Sequence, residues 1–190
     1  MKPSSGDTYI RWGRTTCPDE IDTELLYAGF AAGAHYTNKG GSSDFICLPS
    51  DPNWSSNYDD RVASVSYLYG TEYDVGDQHH FSRQNAEVLH DRDAPCAVCR
   101  LLERSTKLLF PAKLGCPPKW TEEYRGFLMS AHNNHGRAEA VCVDQAPEVI
   151  SGSQTNQNGA LFYFIEGICG SLPCPPYVNG REITCTVCSI

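Results

Sequence analysis

Apolar and polar residues alternate along much of this chain with a period of two. The alternation is clearest over residues 61–69 (RVASVSYLY) and 181–188 (REITCTVC). A period of two is typical of β-strands that bury one face. Shorter apolar runs, separated by Gly, Pro, Asn and Ser clusters, cover residues 24–32, 45–48, 107–111, 124–129, 138–143 and 161–168. The pattern predicts an all-β fold, with helix limited to a turn or two at residues 83–89 and 97–104.

Short motifs from the first half of the chain return in the second half. Residues 27–30 (YAGF) and 34–35 (AH) have the same mutual spacing as residues 124–127 (YRGF) and 131–132 (AH). Repeated motifs in one order predict an internal duplication. We therefore expect two pseudo-symmetric, disulfide-stapled β subdomains packed as one globular unit. The predicted parts are an N-terminal segment (1–14), a first half (15–104) and a second half (105–190).

Ten cysteines are many for a chain of 190 residues, and their even number allows complete pairing. This content is typical of secreted proteins in an oxidising environment. Each half begins with Cys-Pro and ends with Cys-x-Val-Cys. Because Cys-x-x-Cys is a common spacing of zinc ligands, the alternative to complete disulfide pairing is a four-thiolate zinc site built from the two Cys-x-Val-Cys motifs. Asn53-Trp54-Ser55 is an acceptor sequence for N-glycosylation, which fits an extracellular glycoprotein.

Charge and hydropathy exclude some classes of partner. The chain has 15 Lys and Arg against 23 Asp and Glu, a formal net charge of −8. Without a basic run, binding to nucleic acid is not expected. No apolar stretch is long enough for a membrane span, so we expect no membrane insertion.

The sequence offers no frame for an enzyme active site. It has no recognisable nucleophile with a base, catalytic carboxylate pair or phosphate-binding loop. Glu72 and Glu166 occupy equivalent repeat positions, and we interpret each as a structural group in its own core. The prediction is a non-enzymatic protein without a cofactor.

Several motifs resemble the globular domain of short-chain, spongin-type collagens. They are residues 11–18 (RWGRTTCP), 35–41 (HYTNKGG), 47–49 (CLP), 94–100 (APCAVCR), 169–177 (CGSLPCPPY) and 185–188 (CTVC). The resemblance covers nearly the whole chain. More distantly, the duplicated cysteine layout is similar to the C-terminal non-collagenous domain of type IV collagen, which consists of two β subdomains. These 190 residues contain no Gly-X-Y repeat, so they form no triple helix.

The resemblance implies a specific disulfide pattern, in which each half pairs its first cysteine with its last and its second with its third. The implied pairs are Cys17–Cys99, Cys47–Cys96, Cys116–Cys188 and Cys142–Cys185, with Cys169–Cys174 completing the set. It also implies an extracellular matrix module that recognises glycans or matrix proteins, or that assembles with copies of itself. The alternative is a soluble lectin-like defence protein with two related carbohydrate-binding sites.

The candidate ligand residues lie in the two loops that contain the repeated Ala-His pair. Aromatic rings beside amides, imidazoles and carboxylates are the groups that hold a sugar. The other interpretation is that the repeated histidines fix a shared turn by bonding to the backbone. The candidates are His35, Tyr36, Asn38, Asp44, His132, Asn133, Asn134 and His135, and Trp54 is a further aromatic that could join them.

Two other polar clusters are candidates for metal ions. Asp51, Asp59 and Asp60, with two asparagines, form an oxygen-rich loop that could ligate calcium, although a solvated loop fits the same residues. A second cluster contains His79, His80 and His90 with Asp74 and Asp77. It has no counterpart in the other half, so we predict no metal site there.

Overall fold

The computed structural model describes residues 6–18, 22–56, 65–77, 80–81, 89–153 and 155–190. This part of the chain is all-β, which confirms the predicted class. Its strands are β1 (Thr8–Trp12), β2 (Thr23–Gly33), β3 (Ile46–Pro49), β4 (Tyr69–Tyr73), β5 (Arg92–Asp93), β6 (Pro95–Leu101), β7 (Lys107–Pro111), β8 (Thr121–Ser130), β9 (Val141–Asp144), β10 (Ala160–Phe164), β11 (Glu166–Gly167), β12 (Arg181–Glu182) and β13 (Thr184–Ser189). Within the same residues, no helix is long and apolar enough to cross a membrane.

One large sheet contains most of these strands. Its order is β10-β4-β2-β6-β1-β9-β8-β13-β7, with β3 beside β2 and β5 beside β4, while β11 and β12 form a separate pair. β10 also pairs with β8, so the path from β10 to β8 closes on itself. The parallel pairs β10–β4 and β1–β9 connect strands from opposite sides of the predicted boundary at residue 105.

The cysteines pair in the same pattern twice. Five disulfides join Cys17–Cys99, Cys47–Cys96, Cys116–Cys188, Cys142–Cys185 and Cys169–Cys174. These are the pairs that the resemblance implies. The alternative zinc site is wrong, because all the cysteines that would form it are disulfide-bonded. Five disulfides indicate an extracellular or otherwise oxidising environment.

The glycine shared by the two repeated Tyr-x-Gly-Phe motifs lies where two strands approach closely. A Cβ built on Gly29 would lie 1.8 Å from the carbonyl oxygen of Leu48, and one built on Gly126 would lie 1.8 Å from that of Val143. Only glycine fits such an approach without moving a strand. These matched contacts accompany the matched disulfides, while the pseudo-symmetric relation of the two halves stays a prediction.

Two hydrophobic cores stabilise the fold, and each draws on both sides of residue 105. The first includes Trp12, Phe45 and Phe162, whose ring centroids lie 4.6–6.4 Å apart. The second includes Tyr9 and Tyr124, with ring centroids 6.2 Å apart. Because the cores are shared, the predicted halves do not have separate interiors.

Buried ion pairs also connect distant parts of the chain. The Arg11 guanidinium lies 2.7 Å from the Asp144 carboxylate. The Arg104 guanidinium lies 3.0 Å from the carboxylate of Glu123, which is 5% exposed. Tyr9 donates a hydrogen bond of 2.9 Å to the same carboxylate. Each charged group compensates the desolvation penalty of its partner, so removal of one partner leaves an uncompensated buried charge that destabilises the fold.

Two predicted elements are wrong. Residues 65–68 are exposed and form no strand, and β4 begins only at Tyr69, while residues 61–64 lie outside the described residues. The reason is that β4 pairs with β2 in antiparallel register and Tyr69 already faces Gly33, the last residue of β2, so residues 65–68 extend past the end of the strand they would need to pair with. The second error is the predicted helix at 97–104, because most of this segment is strand β6.

Candidate functional site

Two hairpin loops meet at one end of the sheet. The first loop (residues 34–45) connects β2 to β3, and the second loop (residues 131–140) connects β8 to β9. Phe45 ends the first loop in the first hydrophobic core, where its ring packs against those of Trp12 and Phe162. The first loop is therefore anchored at its end as well as at its start.

Backbone contacts join the two loops directly. The N–H of Gly136 donates to the carbonyl oxygen of Tyr36 at 2.8 Å, and the N–H of Glu139 donates to that of Ser43 at 2.9 Å. A Cβ on Gly136 would lie 2.3 Å from the carbonyl oxygen of Asn38. The approach therefore requires glycine at this position, and it makes the two loops one continuous surface.

Five aromatic rings follow one another across this surface, and we call them the ring row. They are Tyr69, His35, Tyr36, His135 and Tyr163, with successive centroids 4.9, 4.7, 4.6 and 5.5 Å apart. The first three precede residue 105 and the last two follow it. The ring row is therefore a composite of both predicted halves.

His35 and His132 hold equivalent turns. The N–H of Thr37 points at Nδ1 of His35 at 3.3 Å, and the N–H of Asn134 points at Nδ1 of His132 at 3.4 Å. The side-chain oxygens of the same two residues lie 2.8 and 2.6 Å from those nitrogens. The turn-fixing interpretation is therefore confirmed for both Nδ1 atoms. The rings themselves contact other aromatic side chains: His35 lies against Tyr36 and Tyr69, and His132 lies against His135 and Tyr163.

His135 is half-buried in the ring row. Its Nδ1 is buried and has no hydrogen-bond partner within the described residues. Burial lowers the pKa of His135, and nearby His132 lowers it further, while Asp74 acts in the opposite direction. A neutral imidazole at neutral pH is the consequence, and its ring packs against Tyr36 and Tyr163.

A cavity of about 440 Å³ opens between the two loops, and we call it the first cavity. Most of the predicted ligand residues line it: His35, Tyr36, Asn38, Asp44 and His135. A second cavity of about 570 Å³ is lined by His132 and Asn133. Ala131 lines both, so the two cavities adjoin. The side chain of Asn134 instead contacts His132 and lines neither cavity.

Sequence reasoning missed several residues of this surface. Tyr69 and Tyr163 complete the ring row. They occupy equivalent positions in the two repeated halves, and this correspondence is the signal that could have identified them. Lys39 and Arg137 line the first cavity from opposite loops. Lys39 belongs to the motif at residues 35–41, but nothing in its local pattern separates it from an ordinary surface lysine.

Other predicted residues lie elsewhere. Trp54 is 81% exposed and lines none of the three cavities, so the suggestion that it joins the site is wrong. Asn53 is exposed, as a glycosylation acceptor must be. Glu72 is buried and accepts a hydrogen bond from Gln157, whereas Glu166 is exposed. The predicted core role is therefore wrong for Glu166, because the second copy of this position lies at the surface beside the second cavity.

The metal candidates are not assembled into a site within the described ranges. No group of three or more His, Cys, Asp and Glu residues there is placed to hold a metal ion. His80 contacts Glu182 at 2.9 Å, while His90 faces Asp74 at 3.5 Å. His79, Asp59 and Asp60 lie outside the described residues, so the calcium hypothesis for the loop that begins at Asp51 stays untested.

Comparison with known proteins adds no relative: the chain matches no protein-family model and no curated protein sequence.

Proposed function

We propose that this chain is a secreted, non-enzymatic recognition module that binds a glycan in the first cavity. One observation carries the proposal: three rings of the ring row, those of His35, Tyr36 and His135, line one cavity together with polar groups from two separate loops. Aromatic faces bind the apolar C–H surfaces of sugars, and surrounding amides, carboxylates and backbone groups bind their hydroxyls. The volume of the first cavity, about 440 Å³, falls within the roughly 300–1,000 Å³ range of small-ligand sites.

The five disulfides support the extracellular part of the proposal, since they need an oxidising environment to persist. Their pairing matches the pattern implied by the resemblance to short-chain collagens, which supports a relationship to those globular domains. The proposal differs from the sequence-based expectation of two separate sites. In the structure, the first loop and the second loop contribute to a shared cavity, so we propose one composite site.

Replacement of Tyr36 by alanine tests the proposal on a glycan array. Tyr36 occupies the centre of the ring row, and burial of an aromatic side chain contributes about 1.5–3 kcal/mol. We therefore expect Tyr36→Ala to lower the affinity for any glycan that the protein binds by about tenfold or more. Trp54→Ala is the matched control, because it removes an exposed aromatic outside the cavities and leaves the glycosylation acceptor intact.

Arrays are run with calcium and with EDTA, after thermal melting has verified that each variant is folded. A hit that Tyr36→Ala loses and Trp54→Ala retains supports the composite site. Absence of any hit from the folded protein, or equal binding by Tyr36→Ala, contradicts it. A hit that depends on calcium would instead indicate a calcium-dependent site at the loop that begins at Asp51.

Self-assembly is the second candidate function, and an exposed apolar face favours it. Phe30 and Leu48 are paired between β2 and β3, and Ile46 lies two residues from Leu48 on the same face. Their side chains are 37–41% exposed. Burial of this face against a second copy predicts an oligomer, which Phe30→Glu would dissociate while the exposed control Leu114→Glu would not. Sedimentation as a monomer at micromolar concentration would contradict this candidate.

A further inference from the structure

The charges of the first cavity point to a specific class of glycan. Lys39 and Arg137 line it from opposite loops, against one lining carboxylate, that of Asp44. Both cations are exposed, and neither forms an ion pair with another described residue. In a chain with a formal net charge of −8, two cations that line one cavity and have no ion-pair partner among the described residues are an exception to the overall charge.

The carboxylates near these cations are partly engaged by the loops themselves. Glu139 does not line the first cavity, and its carboxylate accepts the N–H of Phe45 at 2.8 Å. Asp44 accepts a hydrogen bond from the hydroxyl of Ser43 at 3.1 Å. Neither carboxylate forms an ion pair with Lys39 or Arg137, so neither neutralises these cations at the cavity.

The other two cavities differ from the first in charge or in the chemistry of their walls. Among the residues that the structure describes, the second cavity is lined by three carboxylates, Asp74, Asp77 and Glu166, and by neither a lysine nor an arginine. An anion entering there would be repelled. The third cavity, of about 380 Å³, contains Lys113 and Arg181 with the carboxylate of Glu182, but it has a single aromatic ring, Tyr177, among proline and aliphatic side chains. Of the three, only the first cavity combines cations with the ring row.

We infer that the first cavity binds an acidic saccharide, with Lys39 and Arg137 holding its carboxylate or sulfate group while its sugar ring lies against the ring row. This inference rests on the proposed glycan site and specifies its ligand class. Charged hydrogen bonds to Lys and Arg are stronger than neutral ones, and Arg presents a fork that fits carboxylate and sulfate oxygens. His135, beside Arg137 in the cavity, adds positive charge when it is protonated at acidic pH.

Calorimetry with three hexasaccharides of similar length tests the inference. Chondroitin sulfate, unsulfated chondroitin and chitohexaose carry two, one and no negative charges per disaccharide. We expect affinity to fall in that order, with chondroitin sulfate binding about tenfold or more tighter than chitohexaose. Binding of the acidic sugars weakens as NaCl rises from about 50 to about 300 mM, because exposed charges are screened.

The variant Lys39→Gln/Arg137→Gln removes both cations. We expect it to weaken the affinity for chondroitin sulfate by about tenfold or more, while the affinity for chitohexaose changes by less than about twofold. Lys113→Gln/Arg181→Gln makes the same charge change at the third cavity and should leave both affinities unaltered. If chitohexaose binds as tightly as chondroitin sulfate, or if the third-cavity variant causes the loss, the inference is wrong while a glycan site remains. If no hexasaccharide binds the folded protein, the proposed function fails as well.

Discussion

Removal of Glu123 should destabilise the protein more than any single change at its surface. The Glu123 side chain is 2% exposed, and that of its partner Arg104 is 15% exposed. Its carboxylate accepts hydrogen bonds from Arg104, from the hydroxyl of Tyr9 and from the hydroxyl of Ser189. Glu123→Ala leaves the guanidinium and two hydroxyls buried without this acceptor. Breaking a buried pair in this way costs about 3–5 kcal/mol.

Urea unfolding under non-reducing conditions measures this cost, and the fluorescence of buried Trp12 reports the transition. Intact disulfides keep the same covalent links in every variant, so differences in midpoint convert to free energies of unfolding. Glu123→Gln keeps the shape of the side chain and one acceptor oxygen. Its expected loss is therefore smaller, about 1–3 kcal/mol.

Glu122→Ala is the matched control one residue away. Glu122 pairs with Arg125 at 2.6 Å, but these side chains are 27% and 42% exposed. Such a pair contributes about 0.2–1 kcal/mol. If Glu123→Ala lowered the free energy of unfolding by no more than Glu122→Ala, the argument from burial would be refuted.

Two further stability predictions concern Glu72 and Gly126. Burial raises the pKa of Glu72, although the N–H of Gln157 donates a hydrogen bond to its carboxylate. The folded protein therefore holds the carboxyl proton more tightly than the unfolded chain does. The free energy of unfolding should fall as pH rises from about 4.3 through the raised pKa. Glu72→Gln should flatten that fall in urea titrations between about pH 4 and 8, and an unchanged slope would contradict the argument. Gly126→Ala places a Cβ 1.8 Å from the Val143 carbonyl oxygen and should cost about 3 kcal/mol or more. Gly70→Ala meets no atom within 4 Å and should change stability by less than about 0.5 kcal/mol, so equal effects of the two substitutions would refute the close approach.

The fold class could be predicted from the sequence because alternation and turn residues are local signals. The segment at residues 181–188 alternates and forms strands, as predicted. The segment at 61–69 alternates too, yet its described part pairs only from Tyr69 onward. Periodicity shows that a segment is compatible with a strand, but the available edges of the neighbouring strands decide whether it pairs.

The candidate site was predicted in its residues but not in its assembly. The repeated Ala-His pair identified both loops, and five of the eight candidates line one cavity. That the loops meet depends on Gly136, whose lack of a side chain permits contact with the first loop. Contacts between segments almost a hundred residues apart leave no trace in a local pattern. The same limit explains why Lys39 and Arg137 were missed as a pair.

The central claim is that the two loops form one binding surface, and backbone NMR tests it most directly. Chondroitin sulfate hexasaccharide is titrated into isotopically labelled protein while amide shifts are followed. The composite site predicts that Gly40 and Gly41 of the first loop and Gly136 of the second shift together, with one common affinity. Shifts confined to a single loop, or to residues around the third cavity, would contradict it.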